Sequence, residues 1–96
     1  MSATTDGIEL DEQGSRGRYF LETDGGEAEL TYTLAGPRMI IDHTFTPPEA
    51  RGRKIALRLV ERAVADARRR GLKIEPKCPY VARVFAERRE WADIRA

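Results

Sequence analysis

The sequence predicts an α+β domain whose elements run strand, strand, strand, helix, strand, helix. Three observations carry that expectation. Apolar and polar residues alternate cleanly from Glu27 to Leu34; the spacing turns helical from Arg53 to Arg70; glycine- or proline-marked turns separate the segments. A chain of 96 residues suits one small domain. Residues 1–16 are expected to form a flexible arm or a short edge strand, and residues 17–96 the domain itself.

Within the arm, Ile8 and Leu10 alternate with polar residues, the pattern of an edge strand. Arg18 to Glu22 is short and aromatic and runs into Asp24-Gly25-Gly26, a hairpin turn signal. In the next strand Ala28, Leu30, Tyr32 and Leu34 point one way, and Glu27, Glu29, Thr31 and Thr33 the other. After Ala35-Gly36-Pro37-Arg38, the third strand spans Met39 to Thr46. Pro47-Pro48 ends it, since proline has no N–H for the ladder. Ile55, Leu59, Ala63 and Ala67, with Ala56, Val60 and Val64, then mark one face of an amphipathic helix. Gly71 suits its end, and Arg68-Arg69-Arg70 is expected to be a solvated cluster at the negative pole of the helix dipole. Lys73 to Lys77 reads as a fourth strand. A strand–helix–strand unit crosses over right-handed, which makes the third and fourth strands parallel. Tyr80 to Glu90 is the second helix, with Val81, Val84 and Phe85 as its apolar stripe; Trp91 and Ile94 cap the core beyond it.

Composition removes several classes. Lys and Arg number 17 against 16 Asp and Glu, a net charge of +1, and this balance argues against a dedicated nucleic-acid binder. No apolar run approaches the roughly 20 residues of a bilayer span. Met1 to Asp6 has neither the basic nor the apolar region of a secretory leader, and the single cysteine, Cys78, makes no intrachain disulfide. The expected compartment is the cytoplasm. One His and one Cys give no metal site. The alanine and arginine richness is of a bacterial kind.

The most informative segment joins the third strand to the first helix: Thr44-Phe45-Thr46-Pro47-Pro48-Glu49-Ala50-Arg51-Gly52-Arg53-Lys54-Ile55-Ala56. Helix N-termini present free N–H groups and the positive end of the dipole, a setting that binds phosphate. Gly52 permits close backbone approach, and Arg51, Arg53 and Lys54 add positive charge. A pyrophosphate is the natural guest. Taken alone, the turn reads equally as a solvated basic loop.

Arg51-Gly52-Arg53-Lys54-Ile55-Ala56, placed after His43-Thr44-Phe45-Thr46 and before Leu59-Val60, resembles the acyl-CoA pyrophosphate loop of the GNAT superfamily of N-acetyltransferases. Downstream, Lys73 to Val81 with its Cys78-Pro79-Tyr80 is similar to the hallmark of a minimal, single-domain GNAT family, in which a His-Thr pair also precedes the loop. The likeness spans about Arg18 to Trp91. It implies a GNAT-like mixed sheet whose third and fourth strands are parallel and splayed, with the pantetheine arm of acetyl-CoA in the gap. The cofactor contacts implied are Thr44, Phe45, Thr46, Arg51, Gly52, Arg53, Lys54, Ile55 and Ala56. The superfamily usually has glycine at Lys54, where a side chain either crowds the pyrophosphate or pairs with it. The extra N-terminal helices and closing hairpin of longer members are absent here, which implies an open or borrowed acceptor pocket.

The implied reaction is acetyl transfer from acetyl-CoA to an unidentified amine. His43 is the candidate base. Cys78 is the candidate acid or a nucleophile forming an acyl-enzyme, and Tyr80 a second candidate acid. Each has a plainer reading. His43 shares strand parity with Met39, Ile41 and Phe45 and so looks like a core histidine; Cys78 reads as an inert buried thiol, and Tyr80 as packing. Two other functions remain open: a CoA-binding module with little or no catalysis, acting as a sensor or interaction partner, and an adaptor using its arginines. The chain is expected to be a monomer or a weak homodimer.

Overall fold

The computed structural model describes residues 7–96; the first six residues of the expected arm lie outside them. The chain forms strands β1 (Glu9–Gln13), β2 (Arg16–Thr23), β3 (Gly26–Ala35) and β4 (Arg38–Phe45), then helix α1 (Ile55–Arg70), strand β5 (Lys73–Pro76) and helix α2 (Pro79–Glu87). Short 3-10 turns at Pro48–Ala50 and Arg89–Ile94 complete it. The sheet order is β1-β2-β3-β4-β5, antiparallel except for the parallel β4–β5 pair. This is the α+β arrangement that the periodicity predicts, with Glu9–Gln13 added as the edge strand beside β2.

Alternation in β2 and β3 puts Tyr19, Leu21, Ala28, Leu30 and Tyr32 on the buried face, against Leu59, Val60, Ala63 and Ala67 of α1. α1 begins at Ile55, two residues later than its periodicity suggests, because Lys54 adopts a left-handed conformation that no helix continues. α2 is likewise shorter than Tyr80–Glu90: it starts on Pro79, a favoured first-turn position, and passes into the 3-10 turn after Glu87. Trp91 and Ile94 are buried, and the Trp91 ring lies 5.1 Å from that of Phe85. No helix among the described residues is long and apolar enough to cross a membrane.

The arginines ending α1 are exposed, as the sequence suggests, and each also finds a carboxylate partner. Arg68 grips Asp93 through both terminal nitrogens, at 2.6 and 3.0 Å. Arg69 reaches Asp66 at 2.8 Å, and Arg70 reaches Glu12 at 2.8 Å. Asp66 is buried and also accepts from the Tyr19 hydroxyl at 2.6 Å and from Arg62 Nε at 3.1 Å. Arg70 and the Tyr32 hydroxyl together tie the edge strand to the helix through Glu12.

That last cluster makes stability depend on pH in two directions. Hydrogen bonds from Arg70 and Tyr32 hold the Glu12 carboxyl below its ordinary value of 4.5. Its contribution is complete above that value and is lost as pH falls through the lower folded-state pKa. Burial, then the Glu12 carboxylate, raises Tyr32 above the ordinary phenol value of 10.0. Its contribution is complete below pH 10.0 and is lost as pH rises through the raised value. Urea midpoints measured against pH are therefore expected to fall at both ends, and Glu12→Gln to flatten the acid arm; an acid arm unchanged in that variant contradicts the assignment.

Candidate functional site

Four pieces of chain meet at one end of the β4–β5 junction: the end of β4, the loop after it, the start of α1 and the start of α2. The β4–β5 register runs from Arg38 opposite Lys73 to Ile41 opposite Pro76. There the Ile41 carbonyl accepts from two amides, Lys77 at 2.9 Å and Cys78 at 3.0 Å. Beyond this point β4 continues to Phe45 while the other chain turns into α2 at Pro79. The parallel strands therefore part, as the resemblance implies.

A β-bulge lies in the same stretch. Tyr32 pairs with Ile41 and Thr31 with His43, so Asp42 is the extra residue. Side-chain parity reverses after it. His43 turns away from the core and its side chain is 53% exposed, which overturns the core-histidine reading. Its Nε2 lies 3.2 Å from Glu29 Oε2, on the polar face of the sheet where Arg18 Nε also donates to Glu29, at 2.6 Å. Asp42 is on that face too, accepting from the Thr31 hydroxyl at 2.6 Å. Thr44, in exchange, faces the junction.

Pro47 and Pro48 stop the ladder, and the 3-10 turn they begin carries the chain over the gap. The Arg51 amide closes that turn on Pro48 O, at 3.3 Å, and its side-chain Nε donates to Thr46 O at 3.1 Å. Gly52 has φ +87°, and a Cβ built on it meets no heavy atom within 4 Å. Lys54, at φ +60° and ψ +30°, caps α1 without any side-chain hydrogen bond. It is the non-glycine residue with positive φ among the described residues, a strained state of the kind that collects at functional sites. The intrahelical ladder starts with Arg58 N donating to Lys54 O, at 3.1 Å. The first-turn amides of Ile55, Ala56 and Leu57 thus have no carbonyl of the helix to bond.

A cavity of about 430 Å³ opens over this helix end. Of the sequence-predicted contacts it brings together Thr44, Thr46, Arg51, Gly52, Lys54, Ile55 and Ala56. Phe45 and Arg53 do not line it: Phe45 is exposed elsewhere at 42%, and Arg53 is drawn to Asp24. Ala50 joins the wall unforeseen, since nothing in an alanine signals a binding role.

The three predicted chemical groups separate. Tyr80 lines the cavity, with the Arg83 guanidinium 5.5 Å from its ring centroid. Burial raises its hydroxyl above the ordinary phenol value, against the opposing pull of Arg83 and Arg88, so it keeps its proton at neutral pH. Cys78 is 7% exposed and sits just before α2, its Sγ 3.6 Å from Thr44 Oγ1 across the gap. His43 lies on the opposite face of the sheet from both. Among the described residues no group of three or more His, Cys, Asp or Glu side chains is placed to hold a metal ion.

Comparison with known proteins agrees with this arrangement. The family model described as GCN5-related N-acetyl-transferase matches residues 18–94. The NMR solution structure of a GCN5-like protein from Staphylococcus aureus has the same fold, with a TM-score of 0.68 over 96% of this chain and 91% of that one, at 21% identity. No curated protein matches the chain. Because the family match runs from the second strand to the last turn and takes in the whole strand–loop–helix junction, the chain belongs to the GCN5-related N-acetyl-transferase family and is an acyltransferase.

Proposed function

We propose that the protein transfers an acetyl group from acetyl-CoA to an amine. The observation that carries this reading is the convergence of the open first-turn amides of α1, Gly52 and the cations Arg51 and Lys54 on one cavity beside the parted strands. The donor set fits a diphosphate: unpaired N–H groups, a positive dipole end and two cationic side chains. Thr44 and Thr46 line the way from that end toward the gap, the course available to the pantetheine arm. Acetyl-CoA supplies the activated thioester.

Each remaining role falls to a group already placed. Tyr80, protonated at the cavity wall, gives a proton to the leaving thiolate. An amine arriving over the polar face of the sheet meets His43. With Nε2 turned to Glu29, Nδ1 is the atom left to take the amine proton. Backbone N–H groups in the parted stretch of β4 steady the oxyanion. Cys78, buried beside Thr44 and outside the cavity lining, takes no covalent role, and transfer is direct.

Three measurements test this. Calorimetry is expected to detect CoA binding, and Tyr80→Phe to slow amine-dependent thiol release from acetyl-CoA about a hundredfold with little change in CoA affinity. Mass spectrometry after mixing with acetyl-CoA is expected to find Cys78 unmodified. A stable acetyl adduct that disappears in Cys78→Ala contradicts direct transfer. CoA binding without thiol release from any amine contradicts catalysis and leaves a binding module.

A further inference from the structure

Arg53 belongs to the basic loop yet does not line the cavity that Arg51, Gly52 and Lys54 share. Its Nη1 lies instead 3.1 Å from Asp24 Oδ2, on the tip of the β2–β3 hairpin. The two residues are 29 positions apart in sequence, so the contact exists only because the hairpin tip leans on the loop. A second feature marks the same approach: a Cβ on Gly25 would lie 2.2 Å from Glu49 Oε1, which places the tip against the segment leading into the loop. We propose that Asp24 is an intramolecular competitor for Arg53, and that the hairpin tip thereby sets the affinity of the loop for the phosphates of CoA.

The proposal rests on reading this junction as the diphosphate site. Guanidinium groups bind carboxylates and phosphates through the same forked set of donors, so one Arg53 cannot serve both fully. The pair is exposed, at 60% for Arg53 and 74% for Asp24, so solvent screens it and exchange of partner is inexpensive. Asp24 is therefore a modest brake: it draws a cation away from the cavity and adds a negative charge beside the loop, and an arriving phosphate must overcome both.

A double-mutant cycle read by calorimetry with CoA at low ionic strength tests this. Asp24→Asn keeps a turn-compatible side chain and removes the charge. It is expected to tighten CoA binding about threefold, an effect sized to an exposed ion pair. In an Arg53→Gln background the same change is expected to give no gain. An unchanged or weaker affinity in Asp24→Asn overturns the proposal, and so does an equal gain in both backgrounds, which would make Asp24 a source of general field only. Absence of CoA binding by the folded wild type and all variants overturns the diphosphate reading itself, and this inference with it.

Discussion

Gly52→Val is expected to weaken CoA binding at least about tenfold while leaving the fold intact. At φ +87° the glycine occupies backbone space that L-residues reach only at a cost, and a β-branched residue pays most. Left-handed backbone is disfavoured by roughly 1–2 kcal/mol for ordinary residues, enough to reorient the loop, and about 1.4 kcal/mol is already a tenfold change in affinity. Gly52 also lines the cavity, so the substitution adds bulk at its wall. Nothing in the protein stands within 4 Å of its Cβ, so no core contact is disturbed. Calorimetry with CoA, paired with thermal unfolding, separates the two effects. Wild-type affinity in a folded Gly52→Val would mean that the loop does not hold the phosphates.

Gly17→Ala is expected to be the most damaging single methyl in the sheet. A Cβ there would lie 2.0 Å from Tyr32 Cζ, because the Tyr32 ring crosses directly over the β2 backbone. The ring has nowhere to withdraw. It is fully buried, its centroid is 5.6 Å from that of Tyr19, and its hydroxyl is bound to Glu12. Overpacking of this severity costs about 3 kcal/mol, against a total of roughly 5–14 kcal/mol for a chain of this length. At about 4–8 °C per kcal/mol, Tm should fall by roughly 12–24 °C. In a Tyr32→Leu background, with the ring gone, the same substitution should cost less than about 1 kcal/mol. Equal losses in both backgrounds would show that the ring is not the obstacle.

Much of this molecule could be read from the order of its residues. Alternation in Glu27–Leu34 reflects a sheet with one buried and one polar face, and the Ile55–Ala67 stripe reflects a helix laid on the buried one. The loop of the candidate site was legible because a strand end, a glycine, three cations and a helix start are contiguous in sequence. The plainer, core-histidine reading of His43 failed because strand parity assumes an unbroken register. The bulge at Asp42 is set by pairing with β3, and nothing in Ile41-Asp42-His43 announces it. Arg68, Arg69 and Arg70 are exposed as expected, but their partners were not legible: Asp93, Asp66 and Glu12 are supplied by the last turn, the helix itself and the edge strand, and two of these meet only in the folded chain. The Asp24–Arg53 contact is of the same long-range kind. Local periodicity encodes elements and their faces; the pairing of charges across elements is decided by topology.

The most direct measurement is a titration of isotope-labelled protein with CoA, followed residue by residue through backbone amide resonances. The account predicts that the largest changes fall on Gly52 to Leu57, with a second set at Thr44 and Thr46. Amides that stay still at millimolar CoA, or that move only at the opposite end of α1 around Gly71 and Lys73, would contradict it.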